Sequence, residues 1–259
     1  MVLSSFNLQT AAVADVELRK MLRDPTELVS RAVQPVLWLA VFGQVMEQVR
    51  GIHSGPVSYL VFITPGILAQ SVLFSAIFYG IAVIWERDLG VVHKLLVSPA
   101  YRSALVLGKA LAAGFRGLVQ AGVIYLLAAL MHVQLRHDPF VIGVVLCTVV
   151  LGSAVFSTFS LIIACIVKTR ERFMGVGQVL TMPLFFASSA IYPLDLMPPW
   201  LRAIARFNPL TYLVDALRVL MVPGDAPALA AWGLDALVLA GVFAVLLAVA
   251  VRLYPSLVR

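Results

Sequence analysis

From Val57 to Trp85 the chain runs 29 residues without a charged side chain. A helix needs about 20 apolar residues to cross the hydrocarbon core of a bilayer. An apolar rod of that length has no place in a soluble domain, so this one segment commits the chain to a membrane. Being longer than one perpendicular crossing, it must tilt or begin as a surface segment around Pro65 and Gly66. The rest of the chain agrees: 61% of its residues are hydrophobic and 12% are charged, against roughly 45–50% and 25% in ordinary soluble domains.

Apolar runs of comparable length place six predicted spans, at Ala32–Val49, Val57–Trp85, Ala110–Leu135, Pro139–Val167, Phe173–Tyr192 and Trp232–Leu253. The expected fold is an all-α membrane protein with one domain over 1–259. Within 1–30, residues 11–23 read as an amphipathic helix lying on a membrane surface. Ala11, Ala14, Leu18, Met21 and Leu22 share one arc, and Arg19, Lys20, Arg23 and Asp24 the other. Pro25 ends it. That charged opening leaves no apolar core for a cleavable targeting peptide. Between the fifth and sixth spans, 193–222 is too apolar for a free loop. It is also too broken by Pro193, Pro198, Pro199 and Pro209 for a straight crossing. Short re-entrant or interfacial helices anchored by Trp200 and Tyr212 fit both facts.

Lysine and arginine fall unevenly on the two sides of this topology, 14 of the 19 on the side holding both termini and the Trp85–Lys109 connection. By the positive-inside rule that side is cytoplasmic, and 193–222 lies outside. The net charge of +6 forms no contiguous stripe with interleaved aromatics, which argues against nucleic acid as a partner. Cys147 and Cys165 lie 18 positions apart on one predicted helix, about 27 Å at 1.5 Å per residue, and cannot bridge each other.

The connection after the second span is where the charge gathers: Glu86, Arg87, Asp88, His93, Lys94, Arg102 and Lys109. Leu89, Val92, His93 and Leu96 recur at i, i+3, i+4 and i+7, which predicts a short helix with one apolar face, stopped near Pro99. A helix so placed beneath a membrane bundle suits docking on a partner protein.

Catalytic devices are missing from the pattern. Gly108–Lys109 is the lone Gly-Lys pair, with Ser103 where a phosphate-cradling loop needs its first glycine and Ala110 where it needs a hydroxyl. His53, His93, His132 and His137 form no zinc-binding i, i+4 pair with an adjoining glutamate, and no serine stands in a nucleophile elbow. Neither a metal nor a catalytic residue is expected. Three intramembrane charges stand out: Glu47 near the far end of the first span, Arg116 in the third, and Asp235 in the sixth. Arg116 is expected to snorkel to the headgroups, with a grip on an anionic substrate as the alternative. An ion-coupled carrier or channel built on these charges is the rival reading.

Two stretches carry a resemblance. WERDLGVVHKLLVSPAYRSALVLGKAL, from Trp85, resembles the loop between spans two and three of the ABC-2 family of ATP-binding-cassette export permeases. FFASSAIYPLDLMPPWLRAIARFNPLTYLVDALRVL, from Phe185, is similar to that family's outer re-entrant segment. His93 and Lys94 depart from the acidic residues expected of many relatives. The resemblance implies an exporter in the bacterial inner membrane, assembled from two permease copies, most simply a homodimer, and two separate ATPase subunits that hold the ATP and Mg. It implies that 85–101 seats in the ATPase through Glu86, Arg87, Asp88, Leu89, Val92, His93, Leu95, Leu96 and Tyr101. It further implies that spans two and five line the route of an amphipathic cargo (a drug, an antibiotic, a lipid or a lipid-linked glycan), which nominates Phe74, Phe78, Met182, Phe185 and Phe186. No cofactor is expected in the chain itself.

Overall fold

A computed structural model describes residues 2–23, 25–48, 57–167, 169–224 and 229–258. Asp24, Val49 and His53, named above, lie outside them. Among the described residues every regular element is helical. Four helices are long and apolar enough to cross a membrane: α4 (Tyr59–Asp88), α6 (Arg102–Leu130), α7 (Pro139–Ile166) and the last, which continues through a 3₁₀ turn over Leu229–Leu257.

The N-terminal helix α1 spans Val2–Arg23, starting well before the amphipathic stretch that announced it. Its buried face carries Thr10, Ala14, Glu17 and Met21, while Leu22 stays exposed. Sequence periodicity therefore found the helix but placed its inner face one residue off, because an acid occupies a position where an apolar side chain was expected. The predicted first span is α2 (Pro25–Leu37), a π-helical turn at Trp38–Gly43 and α3 (Gln44–Glu47) in succession. Pro35 sits inside α2, and its missing N–H and ring disturb the ladder just ahead of the wide turn. Glu47 is exposed, and its Oε2 accepts from the Leu60 amide at 2.9 Å, covering an open N–H in the first turn of α4.

After α4 the chain reverses at Gly90, whose φ of 71° suits a residue without a side chain. A seven-residue helix, α5 (Val91–Val97), follows. α6 begins at Arg102, eight positions before the predicted span, and ends where His132 adopts a φ of 55°. Lys109 belongs inside this helix because acidic side chains reach it there, as described below. Asp138 accepts from the Phe140 amide at 2.9 Å to start α7, and Thr169 caps α8 (Arg170–Phe186).

The proline-rich stretch resolves into a 3₁₀ turn, α9 (Pro199–Phe207) and α10 (Pro209–Met221), followed by α11 (Leu229–Leu253). Pro199 and Pro209 each sit in a first turn, where the absent N–H costs nothing. Asn208 joins the pieces. Its Nδ2 donates to Leu184 O at 2.6 Å and Ala187 O at 2.7 Å, and its Oδ1 accepts from the Leu210 amide at 3.0 Å. α10 is enclosed, with Leu210, Leu213, Val214, Leu217 and Leu220 fully buried, whereas Trp200 and Phe207 of α9 are exposed and Tyr212 is half-buried.

Helix α4 is the axle, buried along most of its length between α6, α7, α8 and α10. It meets α8 antiparallel. A side chain at Gly66 would collide with the backbone of Ala190 just beyond α8, and one at Gly80 with Phe173 in its first turn and Ser160 of α7. Buried side chains form two clusters. The larger holds the middle and one end of the bundle. The smaller, around Tyr79, Ile84, Val92, Leu105, Phe173 and Tyr254, fills the charged end.

Candidate functional site

At that charged end, five ionic side chains meet among α1, α4 and α6. Glu86, in the last turn of α4, receives Lys109 Nζ of α6 at 2.5 Å and Lys20 Nζ of α1 at 2.6 Å. Glu17 of α1 lies 3.1 Å from Lys20 Nζ, 3.5 Å from Lys109 Nζ and 3.8 Å from Arg116 Nη2. Three helices are thereby joined at one point. Lys109 is 3% exposed and Glu17 4%, so water screens neither, and each charge depends on the others. Burial alone would raise the Glu17 carboxyl, but Lys109 and Lys20 outweigh it and hold its pKa near 2. Burial likewise opposes the Lys20 ammonium, and Glu86 and Glu17 prevail and raise it.

Arg116 does not snorkel. It is 6% exposed, and its guanidinium lies 4.7 Å from the centre of the Tyr79 ring while facing Glu17. The arginine has a carboxylate and an aromatic face within the protein, so it need not reach for headgroups.

A second ionic group ties α4 to α8. Asp88 is 2.8 Å from Arg87 Nη2 and 2.7 Å from Arg170 Nη2, and the Arg170 guanidinium lies over the Trp85 ring at 3.5 Å.

Helix α5 is held by its apolar side. Val92 is fully buried in the smaller cluster, and Leu95 and Leu96 are half-buried against it. The expected helix was drawn to include Leu89, but Gly90 separates that residue from α5. The outward surface is Leu89, 70% exposed, with His93, Lys94 and Val97. Of the remaining residues nominated for a partner, Glu86 faces Lys109 and Lys20, Arg87 and Asp88 pair as above, and Tyr101 is exposed with its amide donating to Gln9 Oε1 at 3.0 Å. Among the described residues no three His, Cys, Asp or Glu side chains converge as metal ligands would.

The nominated route residues divide. Phe74 and Phe78 sit 6.4 Å apart on α4 and face a recess shared with α2. Phe185 is buried edge-on against Trp38 at 5.5 Å, whereas Met182 and Phe186 are exposed on α8. Sequence reasoning missed Glu17. The available signal was its phase, seven positions after Thr10 and four before Met21 on the buried face.

The ABC-2 type transporter family model matches residues 8–222. The chain is 32% identical over 204 residues to the ycf38 transport permease of Cyanophora paradoxa, covering 76% of this chain and 69% of that one. It is 27% identical over 235 residues to the daunorubicin resistance ABC transporter permease protein DrrB1 of Streptomyces coeruleorubidus, covering 89% and 80%. It is 26% identical over 197 residues to the inner membrane transport permease YadH of Escherichia coli K12, covering 74% and 73%.

Proposed function

The chain belongs to the ABC-2 type transporter family, and from that premise we propose that it is the membrane subunit of an ATP-driven exporter of amphipathic cargo. A separate ATP-binding-cassette subunit binds the ATP and Mg, and a second copy of this chain completes the pore. The cargo is a drug, an antibiotic, a lipid or a lipid-linked glycan. Six crossings arise when the α2–α3 run and the shorter α8 are counted with the four long helices. The lysine and arginine asymmetry then puts both termini and α5 in the cytoplasm.

One observation carries the reading. A short helix hangs between two long apolar helices with its apolar side locked into the bundle and Leu89, His93, Lys94 and Val97 facing out. A surface built that way transmits force in both directions. Closure of the ATPase pair moves α5 and the end of α4 it packs on, and the ionic cluster at Glu86 carries the displacement from α4 into α1 and α6, shifting the balance between inward-facing and outward-facing packings. An ion-coupled carrier draws less support, since Glu47, exposed in α3, accepts from the Leu60 amide and Arg116 faces Glu17 and Tyr79.

The test is to co-express the chain with its partner ATPase and replace Leu89 and Val97 together by aspartate. Both are exposed, so the fold should survive. ATP-driven accumulation of a fluorescent amphiphile in inverted vesicles should fall at least tenfold, with the ATPase lost on purification. Unchanged accumulation and unchanged co-purification would sink the proposal, and gradient-driven flux by the chain alone would favour a carrier.

A further inference from the structure

A helix as short as α5 (Val91–Val97) cannot keep its place by its own hydrogen bonds, since isolated helices under about 12–15 residues are marginal in water. Its position is set by what it rests on. One support is the end of α4, from which Gly90 turns it. Another is a 3₁₀ turn, Tyr254–Val258, which follows α11 directly. The turn lies beyond residues 8–222, the stretch that matches the family model, so membership of the family assigns it no role.

The sequence explains why the turn stands there. α11 runs without a break to Leu253, and Pro255 then withholds an N–H and disfavours α-helix at Tyr254. The chain tightens at that point and carries two apolar side chains into the bundle. Tyr254 is fully buried, and Leu257 is 4% exposed. Both belong to the smaller apolar cluster, with Val92 of α5, Ile84 of α4 and Phe173 of α8, and Leu95 and Leu96 pack against it. Ser256 Oγ donates to Leu253 O at 2.7 Å and lies 3.3 Å from Cys165 O, in the last turn of α7. The Tyr254 hydroxyl has no hydrogen-bond partner among the described residues, so the turn works through its ring and the Leu257 side chain. α5 is therefore held jointly by α4 and by a turn that is itself seated on α7 and α11.

We propose that Tyr254 and Leu257 are positioning residues for the docking helix, and that their turn is a backstop which seats α5 and passes its load to α7 and α11. Without the turn, pressure on the outward residues of α5 would tilt the helix on α4 alone. With it, a displacement of α5 reaches α11 by a path that bypasses the ionic cluster at Glu86. The load path rests on the exporter reading; the seating of α5 is a property of the chain by itself.

The two parts are measured separately. In the purified full chain, hydrogen exchange read by mass spectrometry follows the amides of 91–97. Leu257→Ala should speed their exchange about tenfold or more, through the cavity left beside α5. Leu257→Val, a smaller deletion, should give about threefold and serves if the alanine variant does not fold. Leu257→Met should stay within about twofold of wild type, and so should Tyr254→Phe, which removes only an unpartnered hydroxyl. Leu239→Ala is the control, a fully buried position of the same helix in the larger cluster; it should lower the Tm without speeding exchange at 91–97. Wild-type exchange in the Leu257 deletions, or an equal rise in Leu239→Ala, would overturn the backstop. In the complex, Leu257→Ala leaves the outward surface of α5 intact, so the ATPase should still co-purify and hydrolyse ATP. Cargo moved per ATP should fall about fivefold or more and return with Leu257→Met. A wild-type ratio of transport to hydrolysis in Leu257→Ala would overturn the load path. Absence of ATP-driven transport by the wild-type complex would remove the exporter reading, whereas the exchange measurement decides the seating of α5 without any ATPase.

Discussion

Replacing Glu86 by glutamine keeps the shape and an acceptor but removes one negative charge from between Lys109 and Lys20. Lys20 is half exposed and can turn to water, whereas Lys109 is 3% exposed and keeps Glu17 at 3.5 Å and the Tyr79 ring at 5.7 Å. Breaking a buried pair from one side costs about 3–5 kcal/mol. The residual attraction of Glu17 puts Glu86→Gln at the lower end, about 3 kcal/mol, or a fall in Tm of roughly 6–12 °C for a domain of this size. Lys109→Met is milder, about 2 kcal/mol by the same rule, because both carboxylates keep Lys20. The double variant removes the charge and its counter-charge together and should cost less than Glu86→Gln alone, a non-additivity of about 3 kcal/mol. Thermal unfolding of the four proteins in one detergent, followed by tryptophan fluorescence, measures this cycle. A double variant as unstable as the sum of the singles would show that Lys109 and Glu86 are only neighbours, and the account of the cluster would fail.

The Glu17 carboxyl, held near pH 2 against an ordinary 4.5, contributes up to about 3 kcal/mol at 1.36 kcal/mol per pH unit. A depressed carboxyl stabilises fully above its unfolded value, so hydrogen exchange in α1 should speed up, beyond the intrinsic rate change, as pH falls below 4.5. Asn208→Ala removes three hydrogen bonds, two of them buried, at the junction of α8, α9 and α10 and should lower stability by about 3 kcal/mol in thermal unfolding. Gly66→Val drives a branched side chain into the Ala190 backbone. It should cost at least about 2–3 kcal/mol or leave the protein unfolded on size-exclusion chromatography.

Hydropathy located α4, α7 and α11 because their apolar runs are long and uninterrupted. It misjudged the start of α6 because Arg102 and Lys109 look like loop residues until their partners on other helices are known. The break before Pro99 and the short helix ahead of it were legible, yet Leu89 was assigned to the wrong helix, since only the backbone shows that Gly90 turns left-handed. The two lysines and Arg116 were visible as charges. Their grouping around Glu17 and Glu86 was not, because it joins residues as far as 99 positions apart, and amphipathic periodicity counts an inward-facing acid as a fault in the pattern. The proline-rich stretch breaks into short helices, since proline constrains its own backbone wherever it stands.

Because α4 is seated at Gly66 against Ala190, in the segment that continues α8, and at Gly80 against Phe173 in the first turn of α8, about 21 Å apart along the helix axis, it has no single fulcrum about which to swing. A rod pinned twice to its neighbour can only slide or carry that neighbour with it. Any stroke delivered at the Asp88 end would therefore arrive at the opposite face of the bilayer as a shared displacement of both helices, with little of it lost to bending between.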